Sequence, residues 1–484
     1  MSFSPDFVRT ILREQFEDAK TLALAPLLAI HYAHLVMLVE CGLLARPHAQ
    51  DIRRALDALD VADLGRAEYD GSAEDLFFYV NRLIAERCGA DAAGRLHLAR
   101  SRNDIDMTVY RMRLREWLLD VADATLGLRR TLVDLAGRHR ETVFPAHTHT
   151  QPAQPTTLAH YLLGVIEQLE RDSDRLAASY ERTNRCPLGA CALAGTGFRI
   201  DRARTAALLG FAGPTGNTYG SIASADYLLE AAAATGVLVV GAGRFAQDLL
   251  LWATAEVGYL RLPDGLVQTS SIMPQKRNPA ALEHARALGS KAFGQAGAVA
   301  TVLHNTPFGD IVDGEDDLQP LVASLFRDAT RSLTLLAAVV AAAEWDVARM
   351  RTRASEGGVT LTELADSLVR VHDVSFAAGH AIAARVAATW HRRPETSAAA
   401  ALRAAALAVV GRELAVTDDE LARWLSPTHF VTVRTTPGGP APEVTGAALD
   451  RSRGLLLAEV ETWTERRRRL AAADDERRVA TGSI

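Results

Sequence analysis

The middle of the chain consists of long stretches in which apolar residues cover most faces of a predicted helix and internal proline is almost absent. Four such stretches stand out, at 158–185, 221–259, 278–303 and 321–351. A helix that is apolar on most sides must be buried on most sides. Because the bundle of one subunit rarely provides that much cover, the pattern predicts that these helices pack against copies of themselves in an oligomer.

Shorter helical patterns separated by polar breaks occupy the first hundred residues. Alanine and leucine, which lose little rotamer freedom in a helix, dominate whole segments of the chain. The pattern predicts helices over 28–44, 49–59 and 72–87, and a further helix that begins near Asp104 and continues past Leu128.

The C-terminal part of the chain is predicted to begin after the turn at 356–358. It carries a Gly/Pro-rich insert at 427–443, in which 431–433 is the one candidate for a short strand. Loops are predicted at 147–155, 186–201, 262–277 and 305–319. The predicted fold is all-α with three domains: a helical N-terminal domain at 1–108, a central helix bundle at 109–360 and a small C-terminal domain at 361–484.

Composition is that of a soluble globular protein, with 48% hydrophobic and 23% charged residues in a chain of 484. The formal net charge of −6 gives no reason to expect nucleic acid or a membrane surface as a partner. The one dense basic run, 466–469, lies beside Glu461 and Glu465 and is expected on a solvated helix face. The apolar stretch at 231–243 is shorter than the ~20 residues that span a bilayer, so a buried helix is expected.

Cysteine usage and the N-terminus favour the cytoplasm. The four cysteines show no CxxC spacing for a metal and form no disulfide framework in a chain of this size. Residues 1–20 are polar and mixed in charge, without the apolar region of a signal peptide.

Four polar loop clusters separate the apolar helices and are the candidates for chemistry. They lie at 101–104, 148–151, 195–197 and 270–279. The last is the most specific, because Asn278-Pro279 predicts a helix N-terminus, with its free N–H groups, beside Lys276. Such a terminus attracts anions. A capping loop would explain Asn278 and Pro279 but not Ser270-Ser271 together with Lys276.

These clusters resemble a known family. The run 270–279, Ser-Ser-Ile-Met-Pro-Gln-Lys-Arg-Asn-Pro, resembles the signature of the fumarase/aspartase superfamily. Further runs resemble its argininosuccinate lyase branch, at 99–104, 148–155, 187–195, 356–369 and 438–443. Because the motifs keep one order along nearly the whole chain, chance is an implausible explanation.

The resemblance implies a carbon–nitrogen lyase that eliminates an amine from an N-substituted aspartate and releases fumarate, a reaction that amine addition reverses. It also implies a homotetramer whose core holds twenty helices, five from each subunit. Each active site would combine loops of three subunits. No metal and no cofactor is implied, and the partner is a small dicarboxylate.

Roles for individual residues follow from the resemblance. Ser270 is the expected general base, and the charge that develops on the substrate carboxylate explains the cation Lys276 close by. His149 is expected beside the leaving amine, with Glu283 as its carboxylate partner. The remaining residues are expected to bind the substrate: Ser101, Arg102, Asn103, Thr148, Gln154, Ser271, Met273 and Asn278.

The sequence departs from the branch where argininosuccinate lyases bind arginine. Phe16 and Lys20 stand near the family's binding serine and aspartate, and the acidic run 305–317 replaces a run with Tyr, Gln and Lys. The segment 224–226 lacks an arginine, and Thr269 replaces a glycine. The amine is therefore predicted not to be arginine but a diamine, as in ethylenediamine-disuccinate lyases. Two alternatives stay open: true argininosuccinate lyase activity, and an acidic run that is only a solvated loop.

Other classes of protein fit the sequence less well. His147 and His149 could form a metal pair, but metal hydrolases need further ligands on strands that the pattern does not predict. The run 239–246 resembles a dinucleotide fingerprint, yet its flanks predict one continuous helix. His160 is expected to be a satisfied core histidine. A non-catalytic structural homologue, such as a lens crystallin, is the remaining alternative.

Overall fold

Helices make up most of the computed structural model, which describes residues 3–393 and 395–484. The N-terminal part holds α1 (Pro5–Phe7), a π-helical segment (Val8–Leu12), α2 (Arg13–Leu22), α3 (Leu24–Glu40), α4 (Arg46–Asp57), α5 (Val61–Arg66), α6 (Leu76–Cys88) and α7 (Ala90–Leu96). The prediction of an all-α fold is confirmed.

The central part combines long helices with short strands. In chain order it holds α8 (Arg102–Arg138), β1 (Val143–Thr148), β2 (Gln151–Thr157), α9 (Leu158–Thr183), α10 (Arg202–Leu208), α11 (Thr218–Ala223), α12 (Asp226–Trp252), β3 (Leu260–Arg261), β4 (Gln268–Thr269), β5 (Arg277–Asn278), α13 (Ala280–Leu303), α14 (Gln319–Ala342), β6 (Glu344–Trp345) and α15 (Val347–Ser355). Single 3-10 turns lie at Asp264–Leu266, Val312–Gly314 and Asp316–Leu318.

The C-terminal part is again helical. It holds α16 (Leu361–His372), α17 (Phe376–Arg392), α18 (Ala398–Val410), α19 (Asp418–Trp424), α20 (Pro427–Thr432) and the long α21 (Pro442–Gly482).

Five long helices, α8, α9, α12, α13 and α14, pack together as the central bundle. Their shared core contains fully buried leucines such as Leu118, Leu162 and Leu238. Gly289 lets α13 approach both neighbours, because a Cβ there would lie 3.2 Å from Ser332 Oγ and 3.5 Å from the carbonyl oxygen of Val239. This close approach positions the loops at both ends of the bundle.

Apolar side chains on the outside of this bundle remain exposed on a single chain. Val237 and Val240 on α12 are 47% and 43% exposed, and Phe293 on α13 is 55% exposed. Association with further copies of the chain would cover this exposed apolar surface.

Helix α12 is long and apolar enough to cross a membrane by length and composition, and the bent pair 5–22 and 24–40 passes the same test together. The predicted buried helix at 231–243 is confirmed, since it lies within α12 and packs against α9, α13 and α14. Its buried side chains, among them Leu238 and Val239, form part of the bundle core, whereas Val237 and Val240 remain exposed on a single chain.

Two predicted helices are interrupted. The range 321–351 breaks between α14 and α15, because β6 pairs with β3 and the carboxylate of Asp346 accepts from the Arg349 N–H (2.8 Å) to start a new helix. The range 221–259 begins inside α11, and α12 ends already at Trp252. The prediction of uninterrupted helices was wrong at these points.

The strand predictions were also wrong. Residues 431–433 do not form a strand: Thr432 ends α20, which starts with Pro427 after a serine cap. Conversely, the predicted loop 147–155 lies within an antiparallel hairpin of β1 and β2. Prolines at 152 and 155 hid this strand from sequence reasoning, since proline within a strand pattern argues against a central strand.

The last helix, α21, extends away from the C-terminal domain. A separate apolar cluster lies within 361–425, whereas α21 packs against α3, α8, α9 and α10. Side chains of α4 bind its final carbonyl groups: Arg46 donates to Ser483 O (3.1 Å) and Gln50 to Ile484 O (3.0 Å). The boundaries 1–108, 109–360 and 361–484 stay a prediction.

The basic run on α21 is only partly solvated. Arg468 and Arg469 are exposed and pair with Glu465, as expected. Arg466 instead lies over the rings of Trp463 and Tyr180, at 4.2 and 4.8 Å from their centroids. Arg467 pairs with Asp120 and Asp123 of α8, so two of the four arginines join α21 to the bundle.

Candidate active site

The predicted site residues lie at opposite ends of the bundle. Ser101 to Asn103 stand at the N-terminus of α8, which has 37 residues. At 1.5 Å per residue, such a helix is about 55 Å long. The β1–β2 hairpin with Thr148 and His149 follows its C-terminus. One chain therefore cannot bring both groups to one small substrate.

The tip of the β1–β2 hairpin carries Thr148 and His149. Thr148 pairs with Gln151, so His149 and Thr150 form a two-residue connection with φ of 50° and 62°. Two-residue hairpins favour such left-handed conformations, but usually with Asn or Gly. Histidine and threonine there are strained, and strain held by a rigid scaffold often marks a functional position. Both side chains are exposed on a single chain.

The structure gives no support to the metal or the dinucleotide alternative. Across 3–393 and 395–484, no group of three or more His, Cys, Asp or Glu side chains could hold a metal ion. The run 239–246 lies inside α12, without the strand and turn that a dinucleotide site requires. His160 satisfies both ring nitrogens, one with Thr156 Oγ1 (2.7 Å) and one with the Gly438 carbonyl (2.9 Å).

The serine loop is the tip of a second hairpin. Strands β4 and β5 pair Gln268 with Asn278, leaving 270–276 as the connection, in which Ser270 is partly buried and 271–276 are exposed. Ser270 Oγ accepts hydrogen bonds from the backbone N–H groups of Met273 (3.1 Å) and Ile272 (3.3 Å). Two donors aimed at one hydroxyl oxygen favour its ionised form. The same two bonds close an ordinary serine turn, and they would also stabilise an alkoxide at the expected base.

Lys276 and Asn278 stand where the serine loop joins α13. Arg277, between them, fixes this end by donating to the Leu262 carbonyl (2.8 Å) and by pairing with Asp264. Helix α13 begins at Ala280, as predicted, and Glu283 lies in its first turn. Lys276, Glu283, Ser271 and Met273 are all exposed on a single chain.

The third group of residues, 101–103, is already paired within the chain. Arg102 donates to Glu74 and Asp75, both at 3.0 Å, and its Nε lies 3.7 Å from Asp106. To bind a substrate carboxylate, as predicted, it must exchange these partners. Ser101 Oγ donates to Asn103 Oδ1 (3.0 Å).

The acidic run 305–317 lies directly against this loop. Asn103 Nδ2 donates to Asp310 Oδ2 at 2.6 Å, and the Tyr110 hydroxyl donates to Asp316 Oδ1 at 2.8 Å. Burial, followed by the charge of Asp310, raises the pKa of Glu315 to about 7. Burial likewise raises the pKa of Asp310 and of Asp316. These contacts favour a run that lines the site over one that is merely solvated.

Sequence reasoning missed two carboxylates in this group. Asp75 caps α6, and Asp106 stands four residues after Arg102 on the same helix face, a spacing that could have signalled the pair. Burial raises the pKa of both groups, and for Asp106 the charges of Asp316 and Asp75 add to it. The site thus contains more acidic groups than the motifs indicated.

Phe16 and Lys20 take no part in this acidic group. Phe16 is fully buried against the rings of Tyr69 and Tyr79. Lys20 donates to the Ala67 carbonyl (2.8 Å) and pairs with Glu17. Gln154 lies in β2 and donates to Thr362 Oγ1 (3.3 Å), at the other end of the bundle.

Comparison with known proteins agrees with these motifs. The family model described as "Lyase" matches residues 35–294. The chain is 41% identical over 459 residues to argininosuccinate lyase 2 of Agrobacterium fabrum, covering 94% of this chain and 91% of the relative. It is 39% identical to argininosuccinate lyase of Methanoculleus marisnigri over 443 residues, 90% of this chain and 88% of the relative.

Solved structures give the same result. The crystal structure of EDDS lyase in complex with formate superposes with a TM-score of 0.88 at 32% identity, covering all of this chain and 96% of that one. The 3-carboxy-cis,cis-muconate lactonizing enzyme of Pseudomonas putida, at 20% identity and a TM-score of 0.72, shares the fold. The chain belongs to the lyase family of the fumarase/aspartase superfamily, in its argininosuccinate lyase branch, and is a carbon–nitrogen lyase.

Proposed function

We propose that this lyase eliminates an amine from an N-substituted aspartate to release fumarate, and that the amine is a cation other than arginine, such as a diamine. The observation that carries the proposal is the hydrogen bond between Asn103 and Asp310. It places the acidic run beside the loop that is expected to hold the succinyl half.

The elimination removes a proton from C3 of the aspartate and breaks the C2–N bond. Ser270 takes the proton, and the electron pair of the C–H bond forms the double bond of fumarate. Lys276, Asn278 and the N–H groups of the serine loop stabilise the carboxylate charge that develops meanwhile. The amine leaves with the C–N electron pair and accepts a proton near His149, which Glu283 assists.

The acidic side chains around Arg102, at the N-terminal end of α8, support a cationic amine. Asp75, Asp106, Asp310, Glu315 and Asp316 all interact electrostatically with the single guanidinium of Arg102. An ammonium group there would offset part of their mutual repulsion.

The proposal extends to a homotetramer with shared sites and to a location in the cytoplasm. Helix α8, about 55 Å long, lies between Asn103 at its N-terminus and the hairpin of His149 that follows its C-terminus. Exposed apolar residues on α12 and α13 supply a surface for association. Loops from different subunits would then complete each site.

An amine screen with fumarate tests the proposal. The purified enzyme is incubated with fumarate and, separately, a diamine, a neutral-chain monoamine or arginine, and fumarate is followed by its ultraviolet absorbance. The expected result is consumption with a diamine and little with arginine. Argininosuccinate cleavage is measured in parallel.

Argininosuccinate lyase activity is the second candidate, because the chain is 41% identical to a protein of that name over most of its length. Efficient argininosuccinate cleavage without diamine addition would establish it and overturn the diamine proposal. Absence of turnover in every arm would favour a non-catalytic homologue.

A further inference from the structure

The carboxylate of Asp104 joins two loops of the site. Asp104 is fully buried in the first turn of α8. One oxygen accepts from the backbone N–H of Ser101 (2.9 Å), as in an ordinary capping box. The other accepts from the N–H groups of Gly189 (2.7 Å) and Cys191 (2.8 Å). Helix capping does not explain this second pair of bonds.

Unusual backbone conformations surround these bonds. Ala99 and Cys191 have φ of 60° and 54°, which side-chain-bearing residues rarely adopt. Gly189 has φ of 87°, and a Cβ there would approach Ile200 and Arg202 within 2.8 Å. Such conformations persist only where surrounding contacts hold them.

A second charged residue holds the same loop from its other side. Arg202 donates to the carbonyl oxygens of Leu188 (3.0 Å) and Pro187 (3.2 Å). The loop thus directs N–H groups toward Asp104 and carbonyl groups toward Arg202. Two opposite charges fix one segment of backbone.

The junction lies next to residues expected to bind the substrate. Ser101, whose N–H binds Asp104, is one of them, and Asn103 immediately precedes Asp104. Asn103 Nδ2 also donates to the Ala192 carbonyl (3.3 Å), one residue after Cys191. A shift between the two loops would therefore move the donors of both Ser101 and Asn103.

We propose that Asp104 is a positioning residue, which couples the loop 101–103 to the loop 189–192 and so sets the geometry for binding the fumarate half of the substrate. The inference rests on the proposed function for the identity of that half. It does not depend on which amine the enzyme uses.

Only the ionised carboxylate can accept all three N–H groups. Burial raises the pKa of Asp104 to about 6, against the lowering effect of its three N–H donors and Arg100. The other charged or titratable groups facing it are Arg100, Cys186 and Cys191. Burial lowers the pKa of Arg100 to about 9 and raises that of Cys186 to about 12; it also raises that of Cys191 above its usual value. The link between the loops 101–103 and 189–192 should therefore weaken as pH falls through about 6 and Asp104 takes up a proton.

Fumarate binding by Asp104→Asn, measured by titration calorimetry without any amine, tests the proposal. The asparagine amide keeps one acceptor oxygen but its NH₂ cannot accept an N–H. We expect about 10–100-fold weaker fumarate binding, the loss typical when a residue that orients the binding groups is replaced, with the oligomer retained. Between pH 7 and pH 5 the wild type should lose more affinity than the variant, because Asp104 titrates only in the wild type whereas Glu315 and its acidic neighbours titrate in both.

Asp201→Asn is the matched control. Asp201 also caps a helix, through the Arg204 N–H at 2.9 Å, but joins no second loop. Asparagine is an equally good cap, so its fumarate affinity should match wild type. Equal affinity and equal pH dependence in Asp104→Asn and wild type would overturn the coupling role.

A measurement on the unmodified enzyme covers the case in which Asp104→Asn does not fold. Hydrogen exchange at pH 7.5 should show the amides of Gly189 and Cys191 strongly protected, although they lie in a loop. Exchange at the rate of a free loop would contradict the proposal. Wild type that binds fumarate yet turns over no amine would refute only the proposed amine, leaving this test intact.

Discussion

Replacing Glu315 by glutamine should weaken amine binding and at the same time stabilise the protein. The substitution keeps the shape of the side chain and removes its charge. Burial and the charge of Asp310 raise the pKa of Glu315 from 4.5 to about 7. Because the folded protein holds this proton more tightly than the unfolded chain, folding stability falls as pH rises from about 4.5 to about 7.

The stability gain should appear above pH 7 and vanish below pH 4.5. Glu315 is partly exposed, so solvent screening reduces the effect of the pKa shift to about 1 kcal/mol. The loss in binding should be larger, since a hydrogen bond to a charged group contributes about 1.5–3 kcal/mol. This corresponds to roughly a 10- to 150-fold higher KM for a cationic amine.

Thermal unfolding at pH 5 and pH 8, with amine KM at pH 8, is the assay. Glu413→Gln, an exposed glutamate between α18 and α19, is the matched control and should change neither quantity. A Glu315→Gln protein with lower thermal stability at pH 8 and unchanged amine KM would refute the reasoning that this carboxylate faces the amine.

Two further predictions concern chemistry and packing. Ser270→Ala should fold, stay oligomeric and lose ~10²–10⁴-fold in turnover, the range for a lost general base. The control Ser290→Ala, at an exposed position of α13, should retain activity. Near-normal turnover of Ser270→Ala would remove Ser270 from the mechanism. Leu238→Ala leaves a cavity at a fully buried position of the bundle and should lower the free energy of unfolding by about 2–5 kcal/mol, which a lower denaturation midpoint would show. An unchanged midpoint would mean that this position is not packed as described.

The long helices were predictable because their apolar coverage and lack of proline are local signals. The start of α13 was located to within two residues by Asn278-Pro279, although Pro279 is itself the N-cap residue and no side chain caps the helix. The break between α14 and α15 was not predictable, since it depends on β6 pairing with β3, which lies more than eighty residues earlier in the chain. Pairing of distant strands leaves no mark in a local pattern.

In the candidate site, too, local features were predictable and long-range contacts were not. The motif loops could be found from residue types, and the acidic run could be noticed as a departure from the family. Its contact with Asn103, and the carboxylate of Asp75 beside Arg102, depend on how distant segments pack. The same holds for the link from Asp104 to Gly189, which joins residues of separate loops. Asp106, four residues after Arg102 on the same helix, had a local signal that was overlooked.

Complementation between inactive variants tests most directly the central claim, that fumarate chemistry occurs in sites shared between subunits. The serine loop follows Tyr259, whose ring packs on Phe144 of β1, so Ser270 and Asn103 lie toward opposite ends of the bundle. Ser270→Ala and Asn103→Ala are each inactive or impaired alone. Denatured together in equal amounts and refolded, they should regain roughly one quarter of wild-type activity, because random mixing gives each site both intact loops with that chance. Each variant refolded alone should stay impaired. If mixed oligomers form but the co-refolded mixture is no more active than the average of its parents, the account is contradicted.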